Sequence, residues 1–212
     1  MKKLIIEVNK LAQGPVGEKV QQRLAEFESI QKKDSTTWFE ELCFCILAAN
    51  ARSRTSWAIQ NELSYEGFMR AAPRDITACI LRNKHRFHNT KTKYLVAARK
   101  HVQIKDTITK IIAESGLAAA REWLVENIVG FGYKEASHFL RNVGYFDFAI
   151  LDRHIMNVMH EYDVLKEKPT SLTAKKYLET EQLFKNIAKK VDMYPGELDF
   201  YFWYMKTGEV LK

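Results

Sequence analysis

The chain contains 212 residues, 46% of them hydrophobic, and its 33 basic residues outnumber its 26 acidic residues to give a net charge of +7. This length is sufficient for a buried core in one domain or two small ones, and no segment approaches the ~18 uninterrupted apolar residues of a membrane span. Charges interrupt the short apolar stretch after the first lysines, so we expect an intracellular protein with no secretory signal and no membrane association.

Hydrophobic residues recur at three- and four-residue intervals along nearly the whole chain, which predicts amphipathic helices. No stretch of useful length alternates like a strand, so the predicted fold class is all-α. The first stripe contains Val16, Val20, Leu24 and Phe27. Later stripes contain Ile108, Ile111 and Ile112, and then Tyr177, Phe184, Ile187 and Val191.

Three local signals predict helix ends. Thr37 with Glu40 has the spacing of a capping box, ahead of an apolar run that ends at Ala49. Pro195 is typical of a first helical turn, and Gly208 is well placed to end that last helix.

The three cysteines Cys43, Cys45 and Cys79 suit a reducing compartment. Cys43 and Cys45 lie two apart on a predicted helix and point to different faces, so they cannot readily share a metal. We expect all three to be small buried hydrophobic residues. No cysteine follows Cys79, which excludes a four-cysteine iron–sulfur site near the C terminus.

Residues 76–105 contain no acidic residue but eight lysines and arginines and three histidines, interleaved with Phe87 and Tyr94. A one-signed stretch of this length is typical of a phosphate-binding face. It is equally compatible with a solvated face whose acidic partners lie elsewhere in the fold. If the face binds phosphate, Lys91 and Lys93 are candidate contacts.

The segment 128–136 contains Gly130 and Gly132 one residue apart, followed by Lys134, between two predicted helices. Two such glycines permit a tight turn with positive φ, and the amide groups that begin the next helix can then bind a phosphate. Lys134 is either a solvated lysine or a nucleophile. Its positive charge is unfavourable at a helix N terminus, and this makes a neutral amine more accessible.

Asp152 lies eighteen residues after Lys134, at the end of a short apolar run. The simplest interpretation is that it caps the next helix. The hairpin, its lysine and this aspartate together resemble the helix-hairpin-helix DNA glycosylases, and most closely the compact, archaeal-type (type-2) 8-oxoguanine DNA glycosylase/AP lyases. Matching stretches are 38–49, 132–145 and 203–212, whereas 51–57 departs from the family pattern.

The resemblance implies a bifunctional repair enzyme without metal or organic cofactor. Lys134 would attack the sugar and displace the base, Asp152 would stabilise the cationic sugar, and the resulting Schiff base would permit β-elimination. Gly130 and Gly132 would bind the DNA backbone. The implied partner is double-stranded DNA containing 8-oxoguanine or an abasic site, bound by a monomer.

The resemblance also implies residues that recognise the extruded base. Phe87 and Trp203 match the two stacking residues, and the terminal Lys212 matches a residue that distinguishes 8-oxoguanine from guanine. Without the resemblance, Trp203 would be a core residue, although five consecutive aromatics at 200–204 cannot all face inward, and Lys212 would be a frayed tail. Asn50 is either the residue that fills the vacated base stack or an ordinary helix C-terminal asparagine.

The predicted architecture has two lobes with the active-site cleft between them. Residues 36–148 form a helical bundle ending in the helix-hairpin-helix, and residues 1–35 with 149–212 form a second helical lobe. Two alternatives stay open: a glycosylase of the same superfamily for oxidised pyrimidines, and a non-catalytic helix-hairpin-helix DNA-binding module. The pair of Lys134 and Asp152 argues against the module, because phosphate binding needs neither a nucleophile nor a carboxylate.

Overall fold

The computed structural model describes residues 1–169 and 171–212, and these residues form helices and no strand, which confirms the all-α prediction. None of the helices in this part of the chain is long and apolar enough to cross a membrane. The α-helices are α1 (Lys2–Ala12), α2 (Pro15–Gln31), α3 (Ser35–Ala48), α4 (Ser53–Arg70), α5 (Pro73–Arg82), α6 (His88–Ala98), α7 (Ile104–Asn127), α8 (Tyr133–Asn142), α9 (Arg153–Glu161), α10 (Ala174–Lys190) and α11 (Pro195–Thr207).

The chain divides into two compact units. Residues Ile30–Phe139 form what we call the central unit, and Met1–Ser29 with Leu140–Lys212 form the terminal unit. These boundaries lie six and nine residues before the expected ones at 36 and 148, and the division at 36–148 stays a prediction. Helix α8 begins in the central unit and ends in the terminal unit.

Helix α3 is the core of the central unit. Every residue from Trp38 to Ala48 except Glu40 is buried, and α3 packs against α4, α6 and α7. A helix that is apolar on all sides is stable only when other elements surround it. Cys43, Cys45 and Cys79 are free thiols buried in this unit, as the sequence predicted.

The N terminus of α3 corrects one prediction. Asp34 is the N-cap, and its carboxylate accepts a hydrogen bond from the Thr37 amide at 3.0 Å. The helix therefore begins at Ser35, and the capping box predicted at Thr37 and Glu40 is wrong. Thr37 receives a cap instead of providing one.

A buried ion pair organises the terminal unit. Arg141, near the end of α8, donates to the Asp199 carboxylate of α11 at 2.7 Å, and its guanidinium lies 4.4 Å from the centre of the Phe200 ring and 5.3 Å from that of Phe27. Because both charges are buried, loss of one partner would leave the other uncompensated, at a cost of ~3–5 kcal/mol. The pair fixes the orientation of α11 within this unit.

The two signals predicted for the last helix are confirmed. Pro195 is the first residue of α11, and Gly208 is its C-cap with a left-handed φ of 71°. Phe200, Tyr201 and Phe202 are buried, whereas Trp203 and Tyr204 are half-buried. The aromatic run therefore does not face entirely inward, as expected.

Candidate active site

The hairpin of the central unit joins α7 to α8 and depends on a glycine at position 130. Gly130 has a φ of +87°, and a Cβ atom there would lie 2.4 Å from the ring of Tyr94, which belongs to α6. Only glycine combines this conformation with so close an approach. Gly132 does not share the positive φ, so the expectation of a left-handed turn holds at Gly130 alone.

The Glu135 carboxylate is hydrogen-bonded to the backbone amide of Gly132, which follows the turn at Gly130. Its Oε2 accepts a hydrogen bond from the Gly132 amide at 3.2 Å, and its Oε1 lies 3.8 Å from Nζ of Lys134. The Gly132 carbonyl accepts from the Ala136 amide, so Gly132 is the N-cap of α8 and Glu135 is its third residue. The expectation that α8 begins with free amides is therefore wrong at Gly132, whose amide already bonds a carboxylate.

Lys134 is the second residue of α8, and its side chain is 23% exposed. Its ammonium group faces the unfavourable end of the helix dipole, and the adjacent Glu135 carboxylate offsets that repulsion. The amine therefore lies at the edge of the hairpin, beside the backbone that the sequence assigned to DNA binding.

Residues 76–105, which we call the basic run, do not form one free phosphate-binding face. Lys91 is 5% exposed and donates to the Ile46 carbonyl at 2.6 Å, while His85 is 3% exposed and lies 2.9 Å from the Leu47 carbonyl. Burial lowers the pKa of Lys91 to about 8, with a further lowering by Lys134 and a partial offset by Glu135. The prediction that Lys91 contacts phosphate is wrong, because the last carbonyls of buried α3 require its ammonium as a donor.

Two more cations of the run have protein partners. Arg82 pairs with Glu62, and Arg99 donates to the Phe68 carbonyl at 2.8 Å. The exposed positive side chains of residues 76–105 are Arg82, Lys84, Arg86, Lys93 and Lys100. The surface that could attract phosphate is therefore smaller than the composition indicated.

Phe87 and Asn50 both lie in the central unit. Phe87 immediately precedes α6, is 42% exposed, and its amide donates to Nδ1 of His85 at 3.2 Å. Asn50 is exposed just after the end of α3 and has a left-handed φ of 61°. This is the conformation that asparagine commonly adopts after a helix, and both interpretations of Asn50 stay open.

Asp152, Trp203 and Lys212 lie in the terminal unit. Asp152 is the N-cap of α9, and its Oδ1 accepts from the amides of His154 and Ile155 at 2.7 and 2.9 Å, as the capping hypothesis expects. The ring of His154 meets the Trp203 indole edge-on, with 4.7 Å between ring centres. His154 therefore connects the predicted catalytic aspartate to a predicted stacking residue. Lys212 is half-buried.

Buried Nε1 of Trp203 has no hydrogen-bond partner among the described residues. In the same part of the chain, no group of three histidine, cysteine, aspartate or glutamate side chains could hold a metal ion.

Sequence reasoning missed Tyr94, His85, Glu135 and His154. Glu135 carried a detectable signal, since a glutamate three residues after the N-cap is the second half of a capping box. The others act through tertiary contacts and carried no local signal.

Comparisons with known proteins agree over almost the whole chain. A family model for 8-oxoguanine DNA glycosylase matches residues 20–193. The 8-oxoguanine DNA glycosylase/AP lyase of Methanocaldococcus jannaschii is 41% identical over 209 residues, 99% of each chain. The protein of that name from Thermoplasma volcanium is 43% identical over 202 residues, 95% of this chain and 96% of the relative.

Two solved structures have a similar fold. The M. jannaschii 8-oxoguanine glycosylase/lyase in complex with a 15mer DNA containing 8-oxoguanine has a TM-score of 0.94 and 40% identity, covering 99% of this chain and 100% of that one. The 8-oxoguanine DNA glycosylase of Thermotoga maritima has a TM-score of 0.91 and 30% identity, covering 100% of this chain and 99% of that one.

The close approach of Tyr94 to Gly130 predicts that substitution of Gly130 costs more stability than substitution of Gly116. Gly130 and Gly116 have nearly equal positive φ, but a Cβ at Gly116 would have nothing within 4 Å. Gly116→Ala should cost about 1–3 kcal/mol of stability from the backbone alone, since its φ of 86° and ψ of 169° are nearly restricted to glycine, and Gly130→Ala should cost about 1–3 kcal/mol more. Chemical denaturation of both variants measures this difference. Equal losses would show that Tyr94 does not constrain the hairpin.

The basic run makes a second prediction, based on the exposed Lys93 and the buried Lys91. Lys93→Ala should reduce the salt dependence of duplex affinity by roughly one counterion, without loss of stability. Lys91→Met should leave that slope intact but destabilise the fold by about 1–3 kcal/mol, because the Ile46 carbonyl loses its donor. Fluorescence anisotropy at several salt concentrations, with thermal denaturation, tests both. A reduced slope in a fully stable Lys91→Met protein would contradict the assignment.

Proposed function

The chain belongs to the 8-oxoguanine DNA glycosylase family, and from this we propose that it excises 8-oxoguanine from double-stranded DNA and cleaves the strand at the resulting abasic site. The observation that carries the proposal is the full-length similarity to a relative that was solved with 8-oxoguanine-containing DNA. Oxidised pyrimidines and simple DNA binding were the alternatives. The activity named for the relatives, glycosylase and AP lyase on 8-oxoguanine, favours neither.

Lys134 is the proposed nucleophile. Its neutral Nζ bonds to the sugar C1′ as the glycosidic bond breaks, and the base leaves with the bonding electron pair and takes up a proton. Loss of the amine proton and opening of the sugar ring give the Schiff base. Removal of a C2′ proton then expels the 3′ phosphate. No step calls for a metal or organic cofactor.

Asp152 is the proposed stabiliser of the cationic sugar. Its two capping hydrogen bonds are both made to Oδ1, so the carboxylate has a fixed orientation at the start of α9. A fixed negative charge stabilises a developing cation more effectively than one that must reorient. The reaction requires Lys134 and Asp152 to act on one nucleotide.

Phe87 and Trp203 are the proposed stacking residues for the extruded base. Stacking contributes ~1–3 kcal/mol per base, and both side chains retain exposed surface. Lys212 is proposed to distinguish 8-oxoguanine from guanine, and Asn50 to fill the vacated stack.

The hairpin is proposed to bind the DNA backbone through Gly130 and Gly132. Because the Gly132 amide bonds Glu135, a phosphate there would replace one anion by another. The enzyme is proposed to act as a monomer, in the compartment that holds the DNA.

Lys134→Gln tests the nucleophile. The variant should lose 8-oxoguanine excision, abasic-site cleavage and borohydride trapping, because no amine remains to attack C1′. It should retain affinity for DNA, since the hairpin contacts are backbone groups. Trapping at the wild-type level in a folded Lys134→Gln protein would eliminate Lys134 as the nucleophile.

Two substitutions of Asp152 separate its charge from its cap. Asp152→Asn retains an oxygen that can accept from His154 and Ile155, so its stability should match the wild type, whereas Asp152→Ala should lose about 0.5–2 kcal/mol. Both should slow excision by roughly 10²–10³-fold, because both remove the charge. Single-turnover kinetics with denaturation curves measure the two effects. Wild-type excision by Asp152→Asn would reduce Asp152 to a helix cap.

A further inference from the structure

His85 makes two hydrogen bonds that require one protonation state. Its Nδ1 lies 3.2 Å from the Phe87 amide nitrogen, which can only donate, so Nδ1 is an acceptor. Its Nε2 lies 2.9 Å from the Leu47 carbonyl oxygen, which can only accept, so Nε2 carries the proton. The neutral Nε2–H tautomer satisfies both contacts, and neither the other tautomer nor the imidazolium ion does.

The backbone places this ring inside the central unit. Two residues after the end of α5, Lys84 adopts the left-handed conformation. The His85 amide then donates back to the Ile80 carbonyl of α5 at 3.2 Å. This is a Schellman turn, which reverses the chain and directs His85 into the core. His85 therefore fastens the segment that connects α5 to α6, with one ring nitrogen bonded to α3 and the other to Phe87.

Phe87 makes ring contacts with the two residues before it in the chain, His85 and Arg86. It is 42% exposed, its ring is tilted 69° from the His85 ring with 6.3 Å between centres, and the Arg86 guanidinium lies 5.4 Å from the centre of its ring. Arg86 is itself exposed. His85 is buried and bonded through both ring nitrogens, whereas Arg86 donates one longer hydrogen bond, 3.4 Å, to the Asn50 carbonyl, so His85 is the more firmly held of the two neighbours.

We propose that His85 is a positioning residue for base recognition, holding Phe87 in the orientation in which it stacks on the extruded base. This inference rests on the proposed function, which assigns the stacking role to Phe87. His85 acts through Phe87 and does not touch the substrate. Its loss should impair steps that read a base and spare cleavage at an abasic site, where no base is present.

The surroundings of His85 favour its neutral form. Burial lowers its pKa, the Leu47 carbonyl of α3 partly offsets this, and three cationic or titratable groups lower it further: Lys91 and His88 of α6, and Arg86. Below this lowered pKa, Nδ1 gains a proton. It can then no longer accept the hydrogen bond from the Phe87 amide, because both groups are donors. Base excision should therefore fall only when the pH drops below this lowered pKa, which lies under the ordinary histidine value of about 6.5, while abasic-site cleavage lacks this dependence.

Two substitutions of His85 separate its contacts. The Oδ1 of asparagine can take the place of Nδ1 and accept from Phe87, and the amide nitrogen of glutamine can take the place of Nε2 and donate to Leu47. His85→Asn should therefore excise 8-oxoguanine roughly tenfold faster than His85→Gln in single-turnover assays, which is the effect of one lost hydrogen bond. The two variants should cleave preformed abasic sites at matching rates. His85→Asn should also lack the acid-side fall in excision.

Phe87→Ala is the reference for this comparison. If Phe87→Ala excises like the wild type, Phe87 does not stack on the base, and the stacking assignment of the proposed function fails. If Phe87→Ala is impaired but His85→Gln and His85→Asn are equal, the positioning role of His85 is overturned. The double variant His85→Gln/Phe87→Ala should be no slower than Phe87→Ala alone.

A direct measurement on the wild-type protein does not depend on how the variants fold. Nitrogen-15 NMR of the histidine side chains should show His85 as the neutral Nε2–H tautomer at pH 7. A protonated Nδ1 at that pH would overturn the proposal, since the Phe87 amide would then have no acceptor.

Discussion

The carbonyl groups at the C-terminal end of α3 lie inside the protein and must find hydrogen-bond donors there. The last four carbonyls of any helix lack intrahelical partners, and a buried one without a donor costs about 1–3 kcal/mol. The Ile46 carbonyl accepts a hydrogen bond from the Lys91 ammonium, and the Leu47 carbonyl accepts one from Nε2 of His85. His85 belongs to the segment that carries Phe87, and Lys91 belongs to α6, which contacts the hairpin through Tyr94, so this requirement extends from the core to the candidate site.

Two functional elements depend on these donors. Lys91 holds α6 against α3, and α6 presents Tyr94 to the hairpin, where it leaves room only for a glycine at position 130. His85 holds the segment before α6 and, through its second nitrogen, the amide of Phe87. The hairpin and Phe87, the proposed stacking residue, are thus supported by neighbouring carbonyls of one helix. A cation is also electrostatically favoured at a helix C terminus, which adds about 0.3–1 kcal/mol.

Features governed by local rules could be predicted from the sequence. Helical periodicity gave the all-α class, and Pro195 and Gly208 gave the bounds of α11, because backbone geometry determines both. The positive φ at Gly130 follows from the same kind of rule. The roles of Lys91 and His85 could not be predicted, because a lysine bonded to a core carbonyl and one bonded to a phosphate have the same sequence signature. The start of α3 was misassigned since Asp34 and Thr37 both suit a cap, and only the structure shows which of them accepts.

We propose that Lys134 forms the covalent intermediate with the sugar, and Lys91 is the alternative amine that a test must distinguish from it. Lys91 belongs to the same unit, and burial lowers its pKa to about 8, so its amine loses its proton more readily than that of an ordinary lysine. Its hydrogen bond to Ile46 and its burial argue against attack on DNA. The most direct test is to trap the wild-type enzyme on 8-oxoguanine-containing DNA with borohydride, digest the adduct, and locate the sugar by tandem mass spectrometry. We expect the sugar on Lys134, and a sugar on Lys91 or on any other amine would eliminate Lys134 as the nucleophile.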